Sequence, residues 1–152
     1  HKKTVKAFSG VPSSVVGATH FRHGERVYNV LSSDPASYGL VCECEMVTSG
    51  EVGYALDKLI VTDILDLRRR TRLGMGPCQG ALCAFRAAGI FNQERGVPSA
   101  EAVAMLREFL EERFKGIKPV LWGDTLRETE FSNWIYQGLF GMPAGSGPEG
   151  GK

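Results

Sequence analysis

Apolar and polar positions follow a helical period through most of the chain after residue 48. Thr48 and Glu51 have the spacing of a capping box, in which the hydroxyl and the carboxylate each satisfy a free backbone N–H. The apolar residues that follow at helical intervals are Val52, Ala55, Leu56 and Leu59. Thr62 or Asp63 can cap a second helix that continues to Arg70. This stretch therefore predicts two consecutive helices.

The same pattern predicts three more helices downstream. Residues 74–77 interrupt it, because two glycines and a proline in four residues break regular structure. We expect a third helix to begin beside Cys78 and to reach Phe91. A fourth begins at Ser99. Its predicted apolar stripe comprises Val103, Leu106, Leu110 and Phe114. A fifth begins near Asp124. Its predicted buried residues are Phe131, Trp134, Ile135 and Leu139.

The N-terminal third lacks this periodicity. It is rich in Gly, Ser and Pro, and its short apolar runs, residues 15–16 and 27–31, are interpreted as possible strands. The last residues, 142–152, are rich in Gly and Pro, which predicts a disordered tail. The expected fold class is mostly α, with an irregular or extended N-terminal segment and additional C-terminal helices.

The composition limits the classes of partner that the chain is expected to bind. The chain has 152 residues, 43% of them hydrophobic, and a formal charge of +1, which is ordinary for one globular domain. The near-neutral balance does not favour nucleic acid or an anionic membrane as partner. No apolar run approaches the roughly 20 residues that cross a bilayer. No signal peptide is visible, and because the chain opens on His1 rather than Met we interpret it as an excised segment and expect a missing domain. Four cysteines bunched in two close groups, rather than spread as a disulfide scaffold, indicate a reducing compartment.

Four cysteines form two close pairs, Cys42-x-Cys44 and Cys78-x4-Cys83. Thiolates are soft ligands that select zinc, Cu(I) or iron–sulfur clusters. Structural zinc sites mostly use Cys pairs two to four residues apart, and the Cys-x-Cys spacing fits that habit poorly. The pattern therefore favours a centre with two metal ions. Two alternatives remain open at this point: one zinc ion, and cysteines that are buried as small apolar side chains.

A two-iron centre needs positive potential around it, because a [2Fe–2S] cluster with four thiolates carries a formal charge of about −2. We expect both Cys pairs just before, or within, the first turn of a helix, where free N–H groups and the helix dipole favour anions. Three glycines near the second pair would let backbone N–H groups approach the sulfurs, since no Cβ blocks them. These glycines are Gly74, Gly76 and Gly80. Arginines at 68–72 would add positive potential, whereas Glu43 and Glu45 would lower the reduction potential.

Two segments carry a specific resemblance. Residues 40–48, LVCECEMVT, and residues 67–80, LRRRTRLGMGPCQG, resemble the BFD-like (bacterioferritin-associated-ferredoxin-like) [2Fe–2S] domain. They are most similar to that domain as it occurs at the C-terminus of the A subunit in the family of anaerobic glycerol-3-phosphate dehydrogenases. The likeness continues in residues 20–24, 114–124 and 134–139.

The resemblance implies a fold, a site and a parent activity. The fold is a small helix–turn–helix arrangement with the cluster in loops at helix ends. The implied cluster ligands are Cys42, Cys44, Cys78 and Cys83. The parent is a flavoenzyme that oxidises glycerol 3-phosphate to dihydroxyacetone phosphate. Its electrons pass from FAD to other subunits, including a membrane-anchoring iron–sulfur subunit, and then to menaquinone at the cytoplasmic face of the inner membrane.

The chain departs from a complete flavoenzyme. No Gly-x-Gly-x-x-Gly follows a strand, so we do not expect the chain alone to bind FAD or to oxidise substrate. Residues 1–39 are interpreted as a connector to, or the tail of, the missing flavin module. Residues 40–92 are the expected cluster domain. Residues 93–141 are the expected helical extension packed on it.

Two rival functions remain: a structural zinc or cysteine module for subunit assembly, and an iron-mobilising ferredoxin-like binding protein. His20 and His23 have a spacing that can chelate a metal, although such pairs are more often ordinary loop residues. His23 is alternatively expected at the interface between flavin and cluster. The preferred interpretation is a module that relays single electrons.

Overall fold

The structure is a computed structural model that describes residue 8, residues 10–31 and residues 34–139. Its helices are α1 (Ser13–His23), α2 (Val27–Val30), α3 (Ser49–Lys58), α4 (Ile64–Thr71), α5 (Cys83–Arg95), α6 (Ser99–Ile117) and α7 (Gly123–Leu139). Two strands, β1 (Leu40–Cys42) and β2 (Val47–Thr48), pair antiparallel. Short 3₁₀ turns cover Gly24–Arg26, Pro35–Tyr38 and Lys118–Val120. The predicted mostly α class is confirmed for the described residues. The predicted disordered tail lies outside them.

The described residues divide into two compact units, and the boundary falls within α6. Those up to Leu106 form the first unit, which contains all four cysteines. Those from Arg107 form the second. None of the described helices combines the length and the apolar character needed to cross a membrane.

The apolar runs interpreted as strands near the N-terminus are helical, so that prediction was wrong. Val15 and Val16 lie in α1, and residues 27–30 form α2. Burial explains the difference, because β-branched residues accept a helix when its face is packed. The small core that buries these residues comprises Phe8, Val11, Val15, Val16, Val27 and Leu31.

The two consecutive helices predicted after Thr48 form, as Ser49–Lys58 and Ile64–Thr71, and a predicted side chain caps the N-terminus of each. The Thr48 hydroxyl accepts a hydrogen bond from the Glu51 amide at 3.1 Å. The Asp63 carboxylate accepts one from the Asp66 amide at 2.7 Å. Helix α3 packs against α4, α5 and the β1–β2 hairpin, so one apolar face of α3 lies at the centre of the first unit. Its buried apolar residues are Val52, Ala55 and Leu56.

Helix α5 begins at Cys83, five residues later than the predicted start beside Cys78. The intervening backbone turns instead. Gly74, Gln79 and Gly80 have φ of 76°, 49° and 88°. Such left-handed conformations cannot continue a right-handed helix, and they fold residues 74–82 into a compact loop.

In the second unit, Phe109, Leu110 and Phe114 are buried on α6. Helix α7 forms where a fifth helix was predicted, yet Phe131 and Trp134 are 62% and 66% exposed. The expectation that α7 buries these two aromatic residues was therefore wrong. Helical spacing identifies an apolar face but does not show what covers it. In the first unit, Val103 of the predicted α6 stripe is likewise 41% exposed.

Candidate metal centre

The four cysteines come from three kinds of local structure, and all are free thiols. Cys42 ends strand β1 and is buried, whereas Cys44 lies in the turn at residues 43–46 and is exposed. Cys78 is half-buried in the 74–82 loop, and Cys83 is the buried first residue of α5. The expectation of a helix start beside both pairs thus holds for Cys83. The first pair lies in the β1–β2 hairpin instead, with Cys42 at the end of β1 and Cys44 in the turn.

The fold brings each cysteine next to one from the other segment. The sulfurs of Cys44 and Cys78 are 3.6 Å apart. The Cys83 thiol donates a hydrogen bond to the sulfur of Cys42. A disulfide requires about 2.05 Å. Two thiolates on one tetrahedral ion with bonds of about 2.3 Å lie about 3.8 Å apart. The distance between Cys44 and Cys78 therefore fits two ligands of one metal ion.

The two spatial pairs, Cys44 with Cys78 and Cys42 with Cys83, lie close enough together for their charges to interact. The negative charge of Cys42 helps to raise the pKa of Cys44, and that of Cys78 helps to raise the pKa of Cys83. Among the described residues, no three His, Cys, Asp or Glu side chains converge on one point as ligands of a single ion would. The sulfurs are thus arranged as two neighbouring pairs.

Backbone N–H groups point at these sulfurs. The hydrogen bond from Cys83 is the largest effect that lowers the pKa of Cys42, to about 6, against the opposing effect of burial. The amides of Glu45, Gly74 and Cys44 lower it further. The Gly74 amide also reaches Cys83. Donors that stabilise the charged sulfur suit a thiolate ligand.

The pKa values of Cys83 and Cys44 are instead raised. Donation to Cys42 raises the pKa of Cys83, and burial and the charge of Cys42 add to this. For Cys44, the Cys78 amide alone would lower the pKa. The Cys78 thiol and nearby negative charge outweigh that amide, so the pKa of Cys44 is raised. Four sulfurs packed this closely share protons when no metal is present, because they cannot all ionise together.

The predicted glycines lie in the loop that faces the sulfurs. A Cβ built on Gly76 would lie 2.3 Å from the Cβ of Cys44, so only glycine fits there. Gly74 adopts φ 76° where its amide points at two sulfurs. Gly80 has φ 88°, and its carbonyl accepts a hydrogen bond from the Ala84 amide in the first turn of α5. The structure thus places Gly74 and Gly76 directly against the cysteines, and Gly80 at the start of the helix that begins with Cys83.

Arginines surround the hairpin turn. Arg86 of α5 donates to Glu43 at 2.6 Å and to the Val41 carbonyl at 3.1 Å. The hydrogen bond from Arg86 to the Glu43 carboxylate is the largest effect that lowers the pKa of Glu43. Arg72 donates to Glu45 at 2.8 Å. Each carboxylate that was expected to lower the reduction potential therefore has its own counter-charge.

The 74–82 loop is also fixed by a side chain within it. The Gln79 amide group donates to the carbonyls of Met75 and Gly76 at 3.2 and 3.0 Å. Arg68 donates to the Gln79 side-chain oxygen at 3.4 Å. The arginines at 68–72 thus hold loops on both sides of the cysteine pairs.

A buried ionic network that was not predicted from the sequence lies beside the hairpin turn. Glu51 has a fully buried carboxylate, which the capping-box prediction assigned to a backbone amide. Its oxygens instead accept from Arg22 at 2.6 and 2.7 Å and contact Nε2 of His23 at 2.8 Å. Arg22 further donates to the carbonyls of Glu45 and Met46. The available signal was Glu51 itself, since a carboxylate beside Val52 on an apolar helix face needs a buried partner.

The histidines do not form the chelating pair suggested by their spacing. His23 binds Glu51, and His20 lies 3.9 Å from the Glu25 carboxylate. Both lie on α1 rather than in a loop. Within the described residues, both histidines contact carboxylates of the protein itself.

Comparison with known proteins identifies the family that the cysteine-bearing segment matches. Residues 40–93 match the family described as "BFD-like [2Fe-2S] binding domain". The chain is 50% identical over 139 residues to the A subunit of the anaerobic glycerol-3-phosphate dehydrogenase from Escherichia coli strain K12, and the match covers 91% of this chain and 26% of that protein. The Haemophilus influenzae protein of the same name is 42% identical over 93% of this chain and 25% of its own length. These matches confirm the resemblance seen in the sequence.

A shorter match reaches a different enzyme. "Hydrogen cyanide synthase subunit HcnB" of Pseudomonas aeruginosa is 50% identical over 44 residues, 29% of this chain and 9% of that protein. No solved structure matches the chain. The chain spans about a quarter of the length of the dehydrogenase subunits that it matches.

Proposed function

Because residues 40–93 belong to the BFD-like [2Fe–2S] binding domains, we propose that Cys42, Cys44, Cys78 and Cys83 hold one [2Fe–2S] cluster and that the chain is an electron-transfer module. The observation that carries this proposal is the pairing of the sulfurs. One pair has a separation of 3.6 Å, which suits two ligands of one ion, and a second pair lies beside it. A [2Fe–2S] cluster takes two protein sulfurs on each iron.

The surroundings of the sulfurs fit such a cluster. When bound, the group accepts and returns one electron at a time, which divides the two-electron output of a flavin into single steps. The chain's own contribution is to present four thiolates, direct the amides of Glu45 and Gly74 at them, and leave room at Gly76. Amide donors and neighbouring arginines raise the reduction potential of such a centre.

The names of the relatives support a proposal for the activity of the whole protein. The chain is similar to part of two A subunits whose name, anaerobic glycerol-3-phosphate dehydrogenase, gives glycerol 3-phosphate as the substrate. We propose that it works beside a flavin module that carries FAD and oxidises glycerol 3-phosphate to dihydroxyacetone phosphate. The word "subunit" in the relatives' names supports further subunits as electron acceptors. Menaquinone as final acceptor, and a position at the cytoplasmic face of the inner membrane through those subunits, belong to the same proposal.

Within this proposal, residues 40–92 form the cluster domain and residues 93–141 a helical extension. Residues 1–39 join it to the flavin module. The contribution of Arg22 to the hairpin turn supports an additional structural part for the N-terminal segment.

Anaerobic reconstitution with ferric iron and sulfide tests the cluster. We expect about two irons and two sulfides per chain, as in any [2Fe–2S] protein. The loaded chain should be reddish brown and become paramagnetic on one-electron reduction. One tightly bound zinc per colourless chain, unchanged after reconstitution, would support the structural zinc module and contradict the proposal.

The variant Cys78→Ser tests the ligand assignment. It removes the partner of Cys44 while it preserves size, so we expect loss of cluster uptake with the helical circular dichroism retained. Ser99→Ala, at the start of α6 in the same unit, is the matched control and should load normally. A full cluster in Cys78→Ser would show that this residue is not a ligand.

A further inference from the structure

Arg22 connects the N-terminal helix α1 to the turn that carries Cys44. Its guanidinium binds Glu51 through Nε and Nη2, at 2.7 and 2.6 Å. The same group donates from Nη1 to the Glu45 carbonyl at 2.9 Å and from Nη2 to the Met46 carbonyl at 3.1 Å. The Arg22 side chain is only 8% exposed. It is therefore a buried, multiply bonded contact rather than a surface ion pair.

The two carbonyls bound by Arg22 belong to the peptide planes on either side of the Met46 Cα. A peptide unit is planar, so holding one oxygen in each plane fixes the rotation between them. That rotation is unusual, because Met46 has φ 52° and is not glycine. A left-handed conformation of this kind persists only where the surroundings enforce it. Arg22 supplies contacts that enforce it.

The same turn presents the first cysteine pair. The Glu45 amide donates to the sulfur of Cys42, and Cys44 precedes Glu45 directly. Fixing the Glu45–Met46 peptide therefore keeps the adjoining backbone, and with it this amide, in register with the sulfur. We propose that Arg22 is a positioning residue that holds the Cys42–Cys44 turn in its ligand-presenting conformation. This inference rests on the proposed cluster site.

Glu51 and His23 complete the buried set of contacts around Arg22. Glu51 is fully buried, and the helix that carries it packs on the hairpin, so its carboxylate is a fixed anchor for the guanidinium. His23 contacts the same carboxylate oxygen as Nε of Arg22. A lysine at position 22 would keep the charge. It could not reach Glu51 and both carbonyls at once, because its ammonium group is a single point donor.

Hydrogen exchange in the metal-free chain tests the positioning role directly. The test variant is Arg22→Lys. The matched control is Arg95→Lys, because Arg95 also donates to a carbonyl, that of Leu56, in the same unit but away from the turn. We expect the Glu45 amide to exchange about tenfold faster in Arg22→Lys, the factor that corresponds to one charge-assisted hydrogen bond. Arg95→Lys should leave that amide unchanged. Equal exchange in the two variants would overturn the inference.

A second variant keeps the test decisive if Arg22→Lys does not fold. Arg22→Met combined with Glu51→Gln removes both charges of the Arg22–Glu51 ion pair together, and the amide at position 51 keeps a polar partner for Nε2 of His23. We expect native circular dichroism together with the same fast exchange at Glu45. Slow exchange at Glu45 in a folded double variant would refute a positioning role for Arg22.

The reconstituted chain gives a spectroscopic readout. With the turn loosened, the electron paramagnetic resonance signal of the reduced Arg22→Lys chain should broaden. Its visible colour should bleach about tenfold faster under an iron chelator than that of Arg95→Lys. Identical signals and bleaching rates would contradict the inference. Failure of the unsubstituted chain to bind any cluster would instead refute the proposed function, and the exchange experiment would still decide the role of Arg22.

Discussion

Gly76 gives the sharpest test of how the loop and the hairpin turn fit together. In Gly76→Ala, the new Cβ would lie 2.3 Å from the Cβ of Cys44 and 3.4 Å from its sulfur. Carbon atoms in contact are normally about 3.5–4.0 Å apart, so the two segments must separate by at least about 1.2 Å. Overpacking of this kind costs about 1–3 kcal/mol of folding free energy.

The same separation affects the sulfurs. Gly76 lies two residues before Cys78, whose sulfur is 3.6 Å from that of Cys44. Moving the two segments apart by about 1 Å takes that pair beyond the roughly 3.8 Å that one tetrahedral ion spans. We therefore expect the metal-free variant to unfold at lower urea concentration. After anaerobic reconstitution it should hold less than half of the iron bound by the unsubstituted chain.

Gly89→Ala is the matched control. Gly89 lies within α5, and a Cβ there would meet no atom within 4 Å. In a helix interior this exchange stabilises by up to about 1 kcal/mol, so the control should gain stability and load iron fully. The reasoning fails if Gly76→Ala matches the unsubstituted chain in both unfolding free energy and iron content.

Two further predictions concern charge. Glu43→Gln should raise the midpoint potential of the reconstituted chain in a redox titration, because Arg86 would keep its charge beside Cys42 and Cys83 without a counter-ion. The control Glu94→Gln, at the far end of α5, should leave the midpoint potential unchanged. A lower midpoint potential in Glu43→Gln would contradict the argument. Hydrogen bonds from Thr62 hold the pKa of Asp66 below its usual 3.8. The Asp66 carboxylate therefore stabilises the start of α4 at pH values above 3.8. This stabilisation is lost as the pH falls through the lower pKa of the folded state. Thr62→Val should therefore reduce stability at pH 7 and have little effect near pH 2, as measured by urea unfolding; an equal loss at both pH values would refute the linkage.

Local chemistry predicted the parts of the fold that depend on neighbouring residues. The Thr48 cap, the Asp63 cap and the absence of helix at residues 74–77 each follow from a few adjacent side chains. The helical state of Val15 and Val16 did not, because it depends on burial against Phe8 and Leu31. The exposed Phe131 and Trp134 show the same limit in reverse, since spacing alone does not show whether a face is covered.

For the metal centre, the sequence predicted the cysteines and the glycines near them from residue type and spacing. It did not predict which cysteines lie together, since each pair joins residues that are 34 or 41 positions apart along the chain, as Cys44 with Cys78 and Cys42 with Cys83. The ion pairs of Arg86 with Glu43 and of Arg22 with Glu51 also span long stretches. Contacts of that range depend on tertiary packing, which composition and periodicity do not contain.

The buried contact between α1 and the hairpin turn has a practical consequence for dissecting this protein. A piece trimmed to the matched residues 40–93 would retain every thiol and yet leave the Glu51 carboxylate without Arg22 or His23. An unpaired carboxylate in an apolar interior draws in water or a proton, and either response disturbs the helix beside it. We therefore expect a shortened chain to need residues 13–23, well before the first cysteine, in order to keep Glu51 paired.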